Sequence, residues 1–136
     1  GSGSNNLIVR NSASRFDSNF KNKLYMNGPE IFNFTLNEVP KLIKSILLKH
    51  EINKDSIDLF IFHQANKFML THLRKKIKID KEKFFIHMND FGNTVSSTIP
   101  IALYYALKNN KIKVEDNVLL AGFGVGYSWG STILKF

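Results

Sequence analysis

Apolar and polar positions change their period several times along the chain, and each change marks an element. Leu7-Ile8-Val9-Arg10 is a short β-prone run. Residues 11–24 are polar and irregular, dominated by Asn, Ser, Asp and Lys, and read as a surface loop. Ile31, Phe32, Phe34, Val39, Leu42, Ile43, Ile46 and Leu47 then recur at helical spacing. Pro40 lies inside that stretch and lacks a backbone donor, so a kink or restart is expected near residues 37–40. Residues 57–62 form a compact apolar run of strand length. Their weak alternation fits a strand buried on both faces. Residues 66–77 predict a helix with Met69, Leu70, Leu73 and Ile77 on one side, and Phe84-Phe85-Ile86 a short strand. Residues 95–107 predict another helix, with Pro100 within or near its first turns. Residues 117–123 predict a strand, 124–126 a turn and 127–134 a returning strand, which together make a hairpin.

This order of strands alternating with helices implies an α/β layer with a mainly parallel sheet. The closing hairpin adds an antiparallel strand, so the expected fold is a mixed, mainly parallel sheet with packed helices and a C-terminal β-hairpin. The length of 136 residues suits one domain with a real core. A hydrophobic fraction of 43% against 22% charged residues is that of a folding chain. No apolar run approaches the roughly 18 residues of a membrane span, so no membrane partner is expected. Gly1-Ser2-Gly3-Ser4 reads as an appended leader or flexible linker, which leaves residues 5–136 as the domain.

Lys and Arg number 19 against 11 Asp and Glu, a formal charge of +8. Such a surface attracts nucleic acid, anionic lipid, phosphate-bearing cofactors or an acidic protein, and charge alone does not choose among them. Cysteine is absent, which excludes a disulfide scaffold, a thiolate zinc site and a cysteine nucleophile within these residues. No metal site is expected.

Three polar or glycine-rich stretches follow strands: His63-Gln64-Ala65-Asn66, Gly92-Asn93-Thr94 and Gly122-Phe123-Gly124-Val125-Gly126. Open α/β sheets place ligands at the carboxyl ends of parallel strands, so the three can converge. Singly, each has a plainer reading. A histidine at a strand end is more often a satisfied structural residue, and an asparagine after glycine is more often a helix cap or turn residue. The glycine cluster leads into a strand and not a helix, so it lacks the setting of a dinucleotide loop and reads as a tight hairpin turn.

Together these stretches resemble the C-terminal signature of the β-ketoacyl-acyl carrier protein synthase III branch of the thiolase superfamily. His63-Gln64-Ala65-Asn66 matches the family's catalytic histidine motif and Gly92-Asn93-Thr94 its catalytic asparagine motif. The stretch from Gly122 through Tyr127-Ser128-Trp129-Gly130 matches its glycine-rich hairpin. Met26-Asn27-Gly28-Pro29-Glu30-Ile31-Phe32 resembles the segment leading into the family's long helix. Order and spacing agree, and the resemblance covers nearly the whole chain after the leader.

The resemblance implies one thiolase-like half, partnered by an N-terminal half that carries an acylated cysteine. It implies decarboxylative condensation of an acyl thioester with malonyl-acyl carrier protein, and a chain that is inactive by itself. Neutral His63 and Asn93 would donate to the enolate oxygen that decarboxylation creates. The backbone N–H near Val125 would serve the oxyanion hole, and Phe123 would line the pocket. Gly28, Phe32, Ala65 and Asn66 would line the channel for the pantetheine arm. Lys67, Arg74, Lys75 and Lys76, on a helix without acids, would dock the acidic carrier protein; a solvated helix face is the plainer reading. Relatives often have arginine where Phe68 stands, and glycine where Val125 stands. No cofactor would be permanently bound, coenzyme A and phosphopantetheine thioesters being substrates. The implied full-length enzyme is a cytoplasmic homodimer. Three alternatives stand beside it. One is a related acyltransferase or non-decarboxylating condensing enzyme of specialised metabolism. Another is a non-catalytic carrier-binding remnant. The third is a basic nucleic-acid-binding module, against which stands the absence of any recognition motif.

Overall fold

The computed structural model describes residues 3–9, 23–124 and 127–136. Its elements are β1 (Leu7–Val9), β2 (Leu24–Met26), α1 (Gly28–Lys49), β3 (Leu59–Phe62), α2 (Lys67–Ile77), β4 (Phe84–Phe85), α3 (Thr98–Lys108), β5 (Asn117–Gly124) and β6 (Ser128–Lys135). The main sheet has the order β4-β3-β5-β6. Strand β3 runs parallel to both β4 and β5, and β6 returns antiparallel to β5. The expected mixed, mainly parallel sheet with a closing hairpin is therefore present.

All four residues of β3 are buried, and the period of two explains how. Phe60 and Phe62 join Val39, Ile43, Leu70 and Leu73 of α1 and α2 on one face of the sheet. Leu59 and Ile61 join Ala102 and Ala106 of α3 on the other. A sheet covered on both faces has no polar side to alternate toward.

Three local features depart from the pattern reading. Helix α1 runs for 22 residues through Pro40 without a restart. Proline deletes one hydrogen bond, but Thr35, Val39, Ile43 and Ile46 form a buried stripe on both sides of it. Leu24 belongs to a strand and not to the polar loop. Strands β1 and β2 pair antiparallel in a separate two-stranded ribbon, apart from the main sheet. Helix α3 starts at Thr98, after a 3₁₀ turn over Val95–Ser97.

Candidate active site

Strands β3, β4 and β5 point the same way, so the residues after them meet at one edge of the sheet. His63 follows β3 directly, and its N–H donates to the Ala121 carbonyl of β5 at 2.8 Å. Gln64 is buried, with 1% exposure. Its Nε2 donates to the Phe62 carbonyl at 2.6 Å, and its Oε1 accepts from the His87 N–H at 2.9 Å. Gln64 thus ties the end of β3 to the segment that follows β4. Asn66 caps α2, its Oδ1 accepting from the Met69 N–H at 2.8 Å. In this His-Gln-Ala-Asn run, Gln64 and Asn66 fix the backbone from which the His63 ring projects.

Asn93 lies in the loop between β4 and α3, where Gly92 takes a φ of +65°. Glycine suits that left-handed turn. The Asn93 Oδ1 accepts from the Val95 N–H at 2.9 Å, which leaves the amide NH₂ as the group this side chain has for a ligand.

These residues share one cavity of about 890 Å³. His63, Asn93 and Phe123 line it, and so do Gly28, Phe32, Ala65 and Asn66. The expected channel residues are thus in the same wall as the two polar candidates. The Phe123 ring meets the His63 ring edge-on, with centroids 5.5 Å apart. Val125 lies outside the described residues. Gly28, Gly124 and Gly130 also line the cavity, and a Cβ on any of them would meet nothing within 4 Å. Among the described glycines only Gly92 has positive φ. These three glycines therefore add room to the cavity without being required by backbone conformation.

The His63 ring is partly buried. Burial lowers its pKa below the ordinary 6.5, and a hydrogen bond to the Val95 backbone opposes this in part. The Nδ1 atom lies 2.6 Å from the hydroxyl oxygen of Thr98. Thr98 is absent from the sequence-based site. It was legible only as the one polar member of a stripe, Thr98, Ala102 and Ala106, that α3 buries. Met26, Val95 and Trp129 are further lining residues to which no role was given.

The basic helix divides. Lys67, Lys75 and Lys76 are exposed and have no ion pair among the described residues. Arg74 is half-buried, and its guanidinium donates to the Ile79 carbonyl at 2.8 Å, closing the end of α2. Phe68, at 65% exposure, stacks on Phe32 at the cavity wall, with centroids 5.6 Å apart. Among the described residues no group of three or more His, Cys, Asp or Glu could hold a metal ion. No described helix is long and apolar enough to cross a membrane.

Residues 47–136 match the family model described as 3-oxoacyl-[acyl-carrier-protein (ACP)] synthase III C terminal. A β-ketoacyl-[acyl-carrier-protein] synthase III from Prochlorococcus marinus (strain MIT 9515) is 34% identical over 132 residues, covering 97% of this chain and 39% of its own length. The same enzyme from Staphylococcus aureus (strain Newman) is 39% identical over 114 residues, covering 84% of this chain and 36% of its own length. A 3-oxoacyl-(acyl-carrier-protein) synthase III of known crystal structure superposes with a TM-score of 0.94 at 40% identity, over 100% of this chain and 45% of that one. The chain thus spans less than half the length of each of these relatives.

Proposed function

Since the chain belongs to the 3-oxoacyl-[acyl-carrier-protein] synthase III family through its C-terminal domain, we propose that it supplies one half of the active site of a fatty-acid condensing enzyme. The observation that carries this reading is the convergence of His63, Asn93 and the glycine-rich end of β5 on one cavity. Residues 5–136 are the C-terminal thiolase-like domain. The acylated cysteine comes from an N-terminal half, since these residues include none.

In the proposed reaction the carboxylate–carbon bond of a malonyl thioester breaks and carbon dioxide leaves. The electron pair passes to the thioester oxygen as an enolate. The enolate carbon then attacks the acyl group, the cysteine thiolate departs, and a β-ketoacyl thioester remains on the acyl carrier protein. Donors held at the oxygen stabilise this transition state more than the ground state. Asn93 offers its amide N–H, and His63 offers its outward ring nitrogen when that nitrogen carries a proton. The backbone near Val125 serves the acyl-cysteine oxygen, and Phe123 packs against the reacting thioester. The pantetheine arm of coenzyme A or of the carrier passes Gly28, Phe32, Ala65 and Asn66, the open glycine leaving it room. Lys67, Lys75 and Lys76 steer the acidic carrier to the mouth, with Arg74 supporting the helix end from inside. The full-length enzyme works in the cytoplasm as a homodimer and holds no permanent cofactor.

The test joins this chain to a cysteine-bearing N-terminal half. The chain alone should give no β-ketoacyl product from acetyl-coenzyme A and malonyl-acyl carrier protein. In the joined enzyme, His63→Ala and Asn93→Ala should each slow condensation about 10²–10³-fold while the cysteine is still acylated. Equal loss of both steps would refute the assigned roles. Carrier association should weaken with salt, and an unchanged rate from low to high salt would refute the docking assignment.

A further inference from the structure

We propose that Asn6 and Tyr127 form a latch that holds the β1–β2 ribbon in place as an apolar wall of the cavity, which makes them positioning residues for the acyl end of the thioester. The inference deepens the proposed condensing function and rests on that reading for the identity of the ligand.

The ribbon is a sheet of its own, and among the described residues no strand pairing joins it to the main sheet. It nonetheless supplies the cavity with Leu7, Leu24 and Met26. Leu24 and Met26 lie two apart in β2 and so share a face. Of the parts of an acyl thioester, the acyl chain is the one that is apolar throughout, and it is the part that such a face suits. A wall that strand pairing does not fix to the main sheet has to be held there by side chains.

Asn6 stands at the end of the ribbon. Its carbonyl accepts from the Asn27 N–H at 2.7 Å, one step beyond the pairing of Leu7 with Met26. Its Nδ2 donates to the Tyr127 hydroxyl oxygen at 2.6 Å, across 121 positions of chain. Tyr127 directly precedes β6, whose Trp129 lines the same cavity. It takes a φ of +47°, where a bulky side chain is uncommon and glycine is at ease. A ring kept at such a position points to a use for the ring. It lies flat on Phe34 of α1, with centroids 4.2 Å and planes 3° apart. Phe34 thus fixes where the hydroxyl sits, and the hydroxyl fixes Asn6. The Trp129 ring meets Phe34 edge-on at 5.3 Å. One phenylalanine thereby orients the β6 wall directly and the ribbon wall through Tyr127 and Asn6.

A preorganised wall matters to a ligand that reaches it. Once the wall is loose, its ordering is charged against the binding of that ligand. One hydrogen bond corresponds to about a three- to tenfold change in an equilibrium.

The test begins with amide hydrogen exchange in the 136-residue chain. Tyr127→Phe keeps the ring on Phe34 and removes the hydroxyl, and Asn6→Ala removes the other end of the bond. Each should speed exchange of the paired β1 and β2 amides about three- to tenfold and leave β3 and β5 unchanged. The double variant should exchange no faster than Asn6→Ala alone. Unchanged ribbon exchange in Tyr127→Phe would overturn the latch, and so would an equal rise in β3 and β5. In the joined enzyme, competition against acetyl-coenzyme A reads the affinities of hexanoyl-coenzyme A and of free coenzyme A. Tyr127→Phe should weaken the first relative to the second about three- to tenfold, and an unchanged ratio would overturn the wall's part in acyl binding. The exchange experiment needs no substrate, so failure of the condensing reading would leave its result unchanged. Absence of the latch would in turn leave the condensing reading standing.

Discussion

Gln64 gives a quantitative test of how the histidine is mounted. Replacing it with Leu roughly keeps its volume and deletes both ends of a strut between two strand ends. The bonds at 2.6 Å to the Phe62 carbonyl and 2.9 Å to the His87 N–H are lost. A longer contact with the Phe85 carbonyl, at 3.5 Å, contributes little. Each lost bond is worth about 1 kcal/mol net, and a buried partner left unpaired costs about 1–3 kcal/mol. His87 is only partly buried, so water repairs some of its share. The sum is roughly 2–4 kcal/mol, a large part of the roughly 5–15 kcal/mol that holds a domain folded. Gln64→Glu should be worse than Leu at neutral pH, because it sets a carboxylate oxygen against the Phe62 carbonyl, and it should recover as acid protonates it. Urea unfolding followed by Trp129 fluorescence reads both variants against the wild type. A loss below about 0.5 kcal/mol for Leu, with an unchanged m-value, would refute the strut.

Two further outcomes follow from the site. The folded-state pKa of His63 lies below its ordinary value of 6.5, so below that pH the unfolded chain binds the proton first. Stability should be unaffected by this group above pH 6.5 and should fall as pH drops from there to the folded-state pKa. His63→Gln should remove that part of the slope in pH-dependent thermal melts, and identical slopes would contradict the burial of the ring. Gly28→Ala should leave stability unchanged or raise it by about 0.4–1 kcal/mol, since the added Cβ meets nothing and its φ is not positive. The same change should weaken binding of a pantetheine thioester to the joined enzyme, and unaltered binding would place the arm elsewhere.

The sheet was legible because β3 and β5 carry dense apolar runs, and the three helices because their apolar positions keep a 3.6 period. Pro40 starts no new helix because the penalty it imposes is local, whereas the burial of Val39, Ile43 and Ile46 is collective. The β1–β2 ribbon was half visible. Leu24, Tyr25 and Met26 are all exposed, so no alternation marks them as a strand. The convergence of His63 and Asn93 on one cavity was legible because both are polar residue types that follow strands of the same direction. The site was illegible where the role belongs to a contact. Thr98 meets His63 through a 2.6 Å approach made across 35 positions of chain, and nothing in its local sequence records that approach. Arg74 shows the converse: its charge reads as surface, yet its head is used on the Ile79 carbonyl.

The distribution of exposed apolar side chains bears on the proposed second half. Leu24, Met26, Val95 and Trp129 are 69%, 61%, 66% and 44% exposed, and all four line the cavity. They come from three separate parts of the chain: the ribbon, the 3₁₀ turn before α3, and strand β6. Scattered apolar residues on a surface need no explanation, but exposed apolar residues gathered in the lining of one cavity do. On the proposed reading, a second half laid over these residues would cover them and deliver a thiol to His63 and Asn93 in the same act. Closure of that kind also removes water from the site, which strengthens each hydrogen bond aimed at a developing oxyanion. On the proposed reading, the exposed apolar residues and the absence of cysteine from this sequence would be two consequences of one arrangement, in which donors are held on this half and the reacting sulfur arrives on the other.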